Sequence, residues 1–286
     1  MKICPACGNH LIDEAIFCNN CGNRVEVEVS SERQGYQESM QEIPPYQGGN
    51  QSMQGNYDFT YNVDLVFCID TTGSMRPVLD LVKTNALNFY EDLISHMNEK
   101  DKVISRLRIR IIAFKDYLAC DLDGTNPMLA TDFFVLPDDS ETFRKSVDSL
   151  FPEGGGDEPE DGLEALAYAM RSNWDEGGTG IKRRQVIVVW TDASTHELGY
   201  GSKSPKYPKN NMPQNFDELS DWWGYGQDSG KMNQASKRLL LYAPNRLYWS
   251  TISDTWDNVI HFPSRAGEGL QEVEYSQIID TIANSI

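Results

Sequence analysis

Short, uninterrupted apolar runs separated by amphipathic stretches constrain the fold of this chain more than any other feature. Val63 to Ile69, Val186 to Trp190 and Leu239 to Tyr242 are almost continuously apolar, which is typical of strands covered on both faces by helices. Between the first run and a second strand pattern at Leu107 to Phe114, apolar residues recur every three or four positions over residues 76–97, which predicts a single helix. This alternation predicts an α/β fold with a doubly wound, mostly parallel six-stranded sheet.

Weaker patterns complete the predicted order of elements. They are a short third strand at Phe133 to Leu136, helices over residues 140–150 and 160–173, a sixth strand at Asn258 to Phe262, and a final helix within residues 270–286. In the strand order 3-2-1-4-5-6, the first and fourth strands are neighbours. Their carboxyl ends then meet at one edge of the sheet, where ligands bind in folds of this class.

Composition divides the chain into three zones. Residues 1–25 contain four of the six cysteines, and residues 58–286 carry all the strand and helix patterns described above. Residues 26–57 are rich in Gln, Glu, Ser, Gly and Asn and hold few aliphatic side chains. Such a composition buries too little apolar surface to offset chain entropy, so this zone is predicted to be a disordered linker between a small N-terminal domain and the α/β domain.

The charge of the chain argues against several classes of partner. Lys and Arg number 25 and Asp and Glu number 43, which gives a formal net charge of −18. A field of this sign disfavours both nucleic acid and anionic membrane surfaces. No apolar run approaches the roughly 20 residues needed to span a bilayer, and no secretory leader is recognisable. We therefore expect a cytoplasmic protein with neither a nucleic-acid nor a membrane partner; the oligomeric state has no signature in the sequence.

The N-terminal cysteines have the spacing of a metal site. Cys4 and Cys7, and then Cys18 and Cys21, form two Cys-x-x-Cys-Gly knuckles separated by ten residues. Four thiolates at these spacings suit a tetrahedral structural Zn²⁺, and the segment resembles the short zinc-ribbon family. A rubredoxin-like iron site or a redox dithiol is the alternative. Since a site with four sulfur ligands has no open position, catalysis is not expected there.

A second group of candidate metal ligands follows the buried strands. Asp70, Thr72 and Ser74 come at alternate positions directly after the first strand, and Asp192 follows the fourth. Carboxylate and hydroxyl oxygens suit a hard divalent ion such as Mg²⁺, with Mn²⁺ or Ca²⁺ as the other choices. Because hydroxyl ligands are neutral, such an ion can accept a further anionic oxygen from outside.

These two motifs resemble those of the von Willebrand factor type A domain family. That family carries a metal-ion-dependent adhesion site of the form Asp-x-Ser/Thr-x-Ser with a later Asp after a strand, matched here by residues 70–74 and 188–192. The resemblance covers roughly residues 60–286. It implies the same doubly wound sheet and a non-enzymatic module that captures a carboxylate of a protein partner through Mg²⁺.

The sequence departs from the family pattern at one place. Many relatives present Gly-Gly-Thr, whereas this chain has a Gly-Gly-Gly-Asp-x-Pro-Glu segment from Gly154 to Glu160. Asp157 is the candidate ligand in place of the missing threonine. The alternative is that Asp157 caps the helix that follows.

An enzyme is the alternative function. Residues 121–125 read Asp-Leu-Asp-Gly-Thr, which resembles the nucleophile motif of haloacid-dehalogenase phosphatases, although that motif belongs directly after a buried strand. The competing hypothesis is thus a Mg²⁺-dependent phosphoryl hydrolase that uses Asp70 or Asp121.

About 45 residues rich in aromatic side chains separate Asp192 from the fifth strand. Because this segment starts at the metal-bearing edge, part of it is predicted to wall the crevice and to set the choice of partner. The alternative is a helix near residues 215–225 that packs Phe216, Leu219 and Trp223 inward.

Overall fold

The computed structural model of this protein describes residues 2–3, 10–11, 59–154, 158–177, 181–224 and 230–286. The chain divides into two units, Met1–Gln54 and Gly55–Ile286. In the first unit, β1 (Lys2–Ile3) pairs in antiparallel fashion with β2 (His10–Leu11). The four clustered cysteines and the predicted linker, residues 26–57, lie outside the described residues.

A mostly parallel sheet organises the second unit. In the described part of this unit the sheet has seven strands: β3 (Phe59–Asp70), β4 (Lys102–Phe114), β5 (Met128–Ala130), β6 (Phe134–Leu136), β7 (Lys182–Trp190), β8 (Lys237–Pro244) and β9 (Val259–Ser264). The strand order is β5-β4-β3-β7-β8-β9, and β6 also pairs with β4. Strands β4, β3, β7, β8 and β9 are parallel, whereas β5 and β6 run antiparallel to β4. The predicted fold class and strand order are confirmed; β5 was not predicted.

Helices cover both faces of this sheet. They are α1 (Arg76–Asn85), α2 (Phe89–Asn98), α3 (Tyr117–Asp123), α4 (Ser140–Asp148), α5 (Gly162–Met170), α6 (Phe216–Trp223), α7 (Trp249–Thr255) and α8 (Tyr275–Ser285), with short 3-10 turns at Gly73–Met75 and Tyr200–Lys203. Strand β3 alternates between two apolar cores: Leu65 and Phe67 pack on the side of α1, α2, α4 and α8, while Val66 and Cys68 pack on the side of α5, α6 and α7. Burial on both faces explains why the central strands are continuously apolar.

The helix predicted over residues 76–97 is two helices. The amides of Ala86 and Asn88 donate to carbonyl groups three residues earlier, Lys83 and Asn85, so the α-helical ladder is interrupted between α1 and α2. The apolar face continues across the break, because all six residues that predicted it are buried: Val78, Val82, Ala86, Phe89, Leu93 and Met97. Periodicity identified the buried face correctly, but it does not register a tight turn that preserves this face.

The parallel register aligns the carboxyl ends of the central strands. Asp70 is opposite Phe114 of β4, and Ile69 is opposite Trp190 of β7. Loops that leave β3, β4, β7 and β8 therefore emerge at the same edge of the sheet. Among the described residues, no helix has both the length and the apolar character that crossing a bilayer requires.

Candidate metal centre

Asp70 ends β3 as a fully buried carboxylate whose two oxygens both accept hydrogen bonds. Its Oδ1 accepts from the Thr72 amide at 2.9 Å and from Thr72 Oγ1 at 2.7 Å, and its Oδ2 accepts from Thr191 Oγ1 at 2.7 Å. Burial raises the pKa of Asp70 to about 6, against the lowering effect of the hydrogen bonds from Thr72 and Thr191, and the Asp192 charge adds to the increase. The carboxylate is thus held in place by the strand-end loops of β3 and β7.

Ser74 and Asp192 continue this chain of oxygen atoms. Ser74 Oγ donates to Asp192 Oδ1 at 3.0 Å and lies 3.4 Å from Thr72 Oγ1. Asp192 is buried, and its Oδ2 accepts from the Gly269 amide at 2.7 Å. Four of the predicted site residues, Asp70, Thr72, Ser74 and Asp192, are therefore brought together by the fold.

Close backbone contacts hold the loop between β3 and α1. The Gly73 amide donates to the Gly154 carbonyl at 3.0 Å, and the Glu153 amide donates to the Thr71 carbonyl at 3.2 Å. A Cβ atom at Gly73 would lie 3.1 Å from the Gly154 oxygen, so glycine permits this approach. Residues 153–154 accordingly lie against the backbone of the loop that carries Thr72 and Ser74.

The buried carboxylate of Glu160 is the site residue that sequence reasoning missed. Glu160 is 4% exposed, and its amide donates to Ser194 O while its carbonyl accepts from the His196 amide, both at 2.9 Å. The carboxylate accepts a backbone hydrogen bond from Asp116, but among the described residues Oε2 has no partner. Burial, followed by the charges of Asp70 and Asp116, raises the pKa of Glu160 to about 9.

The sequence did contain a signal for this residue. Glu160 is the last residue of the Gly-Gly-Gly-Asp-x-Pro-Glu segment, in which attention fell on Asp157. Asp157 lies outside the described residues, so its predicted role as a ligand stays a prediction.

The donor set fits a hard divalent cation better than a soft one. In the described part of the chain, no group of three or more His, Cys, Asp or Glu side chains has a geometry that could hold a metal ion. The candidate ligands are instead two carboxylates, Asp70 and Asp192, and two hydroxyls, Thr72 and Ser74. The charge of Asp70 also acts on Glu160, whose Oε2 has no hydrogen-bond partner among the described residues. Oxygen-only donors match Mg²⁺, Mn²⁺ or Ca²⁺, and the buried orphan oxygen is a polar atom that a cation or a bound water would satisfy.

A second buried network ties α3, α5 and the loop after β7 together. Asp161 Oδ2 accepts from the Tyr117 amide at 2.6 Å, and Asp161 Oδ1 lies 3.2 Å from His196 Nδ1. Asp116 caps α3 through hydrogen bonds from the Leu118 and Ala119 amides, and its other oxygen lies 3.6 Å from His196 Nδ1. These contacts hold α3, the start of α5 and the loop after β7 together next to the candidate site.

The first part of the aromatic-rich segment lies against α3 and α5. Glu164 of α5 accepts from the Gly199 amide at 2.8 Å and from the Tyr207 hydroxyl at 3.1 Å, and burial raises the pKa of Glu164 to about 7. The Tyr207 ring packs on Tyr117, with a centroid distance of 5.0 Å. Farther along, α6 buries Leu219 and Trp223 in the second core, with Phe216 packed at its margin. The helix near residues 215–225 is thus present, while control of partner choice by this segment stays a prediction.

Asp121 does not occupy the position of a phosphatase nucleophile. It lies on α3 rather than at the end of a strand, and its Oδ1 is 3.9 Å from Lys206 Nζ. Gly124 ends the helix in a left-handed conformation with φ of 80°. The Asp-Leu-Asp-Gly-Thr segment is therefore the end of a helix and its cap.

Comparisons with known proteins match both parts of the chain. A family model described as von Willebrand factor A domain matches residues 64–200, and a zinc-ribbon model matches residues 3–25. Among curated proteins, "Alpha-protein kinase vwkA" of Dictyostelium discoideum is 26% identical over 146 residues, which are 51% of this chain and 21% of that protein. The chain thus spans about a fifth of this relative.

Similar solved structures share little sequence with this chain. The pilus adhesin SpaC of Lactobacillus rhamnosus GG in its open conformation has a TM-score of 0.44 at 12% identity, covering 78% of this chain and 30% of that one. The vWF domain of the pili tip protein Mfa5 of Porphyromonas gingivalis has a TM-score of 0.31 at 19% identity, covering 48% and 39%. Proximal thread matrix protein 1 of the mussel byssus has a TM-score of 0.40 at 8% identity, covering 80% and 49%. This chain spans less than half of each of these solved chains.

Proposed function

Because residues 64–200 of this chain belong to the von Willebrand factor A domain family and residues 3–25 match a zinc-ribbon model, we propose that the protein is a non-enzymatic, cytoplasmic binding module that captures a protein partner through a divalent cation. The observation that carries the proposal is the hydrogen-bonded chain of oxygens from Asp70 through Thr72 and Ser74 to Asp192. These atoms come from two neighbouring strands and are preorganised before any partner arrives.

The proposed ion is Mg²⁺, with Mn²⁺ or Ca²⁺ as substitutes. Thr72 and Ser74 would bind it through their hydroxyls, and Asp70 and Asp192 directly or through water. When bound, the ion supplies a positive charge that accepts an anionic oxygen from outside, which we assign to an Asp or Glu of the partner. Hydroxyl ligands do not neutralise the ion, and this leaves it attractive to that carboxylate.

Glu160 modulates this attraction. With its pKa raised to about 9, the Glu160 carboxyl is protonated at neutral pH, and a bound cation would favour its ionised form. The ionised form would increase affinity for the cation and reduce the remaining positive charge that the partner meets. The partner's affinity should therefore depend strongly on contacts around the ion as well as on the ion itself.

The N-terminal segment is proposed to hold a structural Zn²⁺ through Cys4, Cys7, Cys18 and Cys21. Four thiolates complete a tetrahedral shell, and so small a domain takes most of its folding free energy from the metal. This part of the protein would serve as a folded attachment rather than as a catalytic centre.

Kinase activity does not follow from the similarity to the Dictyostelium protein. The alignment includes 21% of that protein, so an activity of the whole relative does not carry over to this chain. A phosphoryl hydrolase based on Asp70 or Asp121 stays the weaker alternative. Asp121 lies on α3 rather than at the end of a strand, and its carboxylate is paired with Lys206.

Magnesium titration by calorimetry tests the proposal. Wild-type protein should bind Mg²⁺, whereas Asp70→Asn and Ser74→Ala should weaken binding at least tenfold, with circular dichroism showing an intact fold. Asp80→Asn is the matched control, because Asp80 is an exposed carboxylate on α1. Absence of magnesium uptake by the wild type would overturn the proposal, as would equal binding by Asp70→Asn.

A turnover assay with a generic phosphate ester separates the two functions. No hydrolysis is expected from a binding module. Turnover that Asp70→Asn abolishes would instead support the hydrolase.

A further inference from the structure

The most exposed large apolar side chains of the α/β domain lie at the metal-bearing edge. Among the described residues of the second unit, Leu122 is 91% exposed, Leu247 70% and Phe151 66%, more than any other large apolar side chain. A single exposed leucine on a protein surface is ordinary. Three such side chains on loops and short helices at one edge of a strongly acidic protein suggest a contact surface.

Leu122 lies near the loop that carries Thr72 and Ser74, through contacts of the adjacent residue Asp123. It lies on α3, which follows β4, and the adjacent Asp123 carboxylate is 3.5 Å from the place that a Cβ atom would take on Gly154. The Gly154 carbonyl in turn accepts from the Gly73 amide, within the loop that carries Thr72 and Ser74. The end of α3 therefore borders the candidate site.

Phe151 belongs to the same border. The carbonyl of the next residue, Pro152, lies 3.5 Å from Arg76 Nη2, and the Glu153 amide donates to Thr71. Lys83 Nζ lies 5.1 Å from the centroid of the Phe151 ring. Even with this cation nearby, two thirds of the side chain is open to solvent.

Leu247 follows β8, on the other side of the site from α3, whereas Tyr200 belongs to the 3-10 turn that packs against α3. Two residues after Leu247, Trp249 Nε1 donates to the Ala193 carbonyl at 3.1 Å, next to Asp192. Tyr200 is 47% exposed and stacks on His196, with a centroid distance of 3.8 Å. Both side chains are thus attached to loops that leave β7 and β8.

We propose that Leu122, Phe151, Tyr200 and Leu247, here named the apolar rim, form a docking surface for an extended protein segment in which an Asp or Glu is flanked on both sides by apolar residues. The inference rests on the proposed function, since the acidic residue of the segment binds the cation. Its flanking residues then contact Leu122, Phe151 and Tyr200 on one side and Leu247 on the other.

The spacing of the strands sets the length of the segment. The loops come from four neighbouring strands, β4, β3, β7 and β8, and strands about 4.8 Å apart place the outer two roughly 14 Å from each other. An extended chain advances about 3.4 Å per residue, so four to five residues cross the rim. The apolar positions should therefore lie within about three residues of the acidic one.

Charge favours this occupant over a lipid surface. The metal edge needs an anionic oxygen at its centre, and the rim around it is apolar, whereas the whole chain carries −18 and repels anionic bilayers. A short segment with one carboxylate satisfies the cation while presenting little charge to the rest of the protein.

A peptide display library tests the rim directly. Peptides with a fixed central Glu and five random positions on each side would be selected on the full chain in Mg²⁺ and counter-selected in EDTA. Enrichment of apolar residues within three positions on both sides of the Glu is expected. Synthetic versions of the selected peptides should bind Leu122→Asp or Leu247→Asp protein at least tenfold more weakly than they bind the wild type. The magnesium affinity of both variants, measured by calorimetry, should be unchanged.

Leu87→Asp is the matched control. Leu87 is also an exposed leucine, at 46%, but it lies beyond the far end of α1, so peptide affinity should not change. Enriched Glu peptides without apolar neighbours, or rim variants that bind the selected peptides like the wild type, would overturn the rim while leaving the proposed function intact.

Two other results would overturn the inference differently. If the wild type binds neither Mg²⁺ nor Glu peptides, the proposed function fails and the rim fails with it. If sedimentation velocity shows Mg²⁺-dependent self-association that Leu122→Asp abolishes, the rim belongs to a second copy of this chain.

Discussion

Replacement of Gly269 by alanine should disturb the metal edge far more than the same change at Gly267. Both glycines have a left-handed backbone, with φ of 63° and 74°, which costs an alanine about 1–2 kcal/mol. A Cβ at Gly267 meets open space, whereas one at Gly269 would overlap the Ser74 carbonyl oxygen and lie 2.9 Å from Pro77 Cδ. Since the obstacle is backbone, no rotamer change relieves it.

The loss in free energy of unfolding can be worked out from the hydrogen bond that the Gly269 loop would lose. A shift of about 1 Å is needed to restore ordinary van der Waals separation, and it would stretch the 2.7 Å hydrogen bond from the Gly269 amide to Asp192 out of range. A hydrogen bond to a charged group contributes about 1.5–3 kcal/mol. We therefore expect Gly269→Ala to lower the free energy of unfolding by about 2.5–5 kcal/mol, against about 1–2 kcal/mol for Gly267→Ala.

Urea unfolding of both variants in EDTA measures this difference without any contribution from bound metal. The gap of about 1.5–3 kcal/mol corresponds to roughly 3–12 °C in Tm for a domain of this size. In a parallel magnesium titration, Gly269→Ala should bind more weakly because Asp192 loses its anchor, while Gly267→Ala should bind like the wild type. Equal destabilisation of the two variants, within about 0.5 kcal/mol, would refute the inferred contact between this loop and Ser74.

Three further predictions concern charge and metal content. Because burial raises the pKa of Glu164 to about 7, the folded protein holds this proton more tightly than the unfolded chain, and the wild type loses stability as pH rises from 4.5 through 7. The free energy of unfolding of Glu164→Gln, relative to that of the wild type, should rise by up to about 3 kcal/mol between pH 4.5 and pH 8. Urea unfolding at both pH values measures this difference, and a difference that does not change with pH would contradict the prediction. Lys237 is fully buried, and its Nζ contacts the Trp223 carbonyl at 2.7 Å and Asp257 at 2.8 Å. Lys237→Met should therefore lower the free energy of unfolding, measured by thermal unfolding, by about 1–3 kcal/mol. The exposed Lys231, 4.3 Å from the centroid of the Trp222 ring, is its control, and Lys231→Met should cost about 1 kcal/mol or less; similar losses would show that the buried contacts do not stabilise the fold. Finally, combined Cys4→Ser and Cys7→Ser changes should remove zinc, measured by mass spectrometry of metals, and leave magnesium affinity unchanged; retained zinc would exclude the ribbon ligands proposed here.

Strand identity and order were predictable because burial on both faces requires continuous apolar runs. The run from Val63 to Ile69 and the run from Val186 to Trp190 predicted β3 and β7 as strands, and the order 3-2-1-4-5-6 expected of this fold class predicted them as neighbours, which they are. That adjacency, together with the alternate spacing of Asp70, Thr72 and Ser74, was enough to predict a shared site with Asp192. Parallel strands present their carboxyl ends at one edge regardless of the detailed packing.

Elements that depend on particular hydrogen bonds, rather than on a repeating apolar pattern, were not predictable in the same way. The break between α1 and α2 preserves the apolar face, so periodicity contains no trace of it. The short strand β5 and the helix α3 are held by contacts with distant residues, such as the hydrogen bond from the Tyr117 amide to Asp161. Such contacts have no period along the chain.

The alternation of apolar runs and amphipathic helices, together with the oxygen-bearing residues after β3 and β7, was sufficient to predict that these residues gather at one edge of a parallel sheet. This follows because parallel strands in folds of this class end at the same edge. The folded structure was needed to show that Glu160 is buried with an unpartnered oxygen and within the influence of the Asp70 charge, and that Leu122, Phe151, Tyr200 and Leu247 are exposed. Residues so far apart in the chain meet only when separate loops pack together, and burial and desolvation act on the distances that this packing creates.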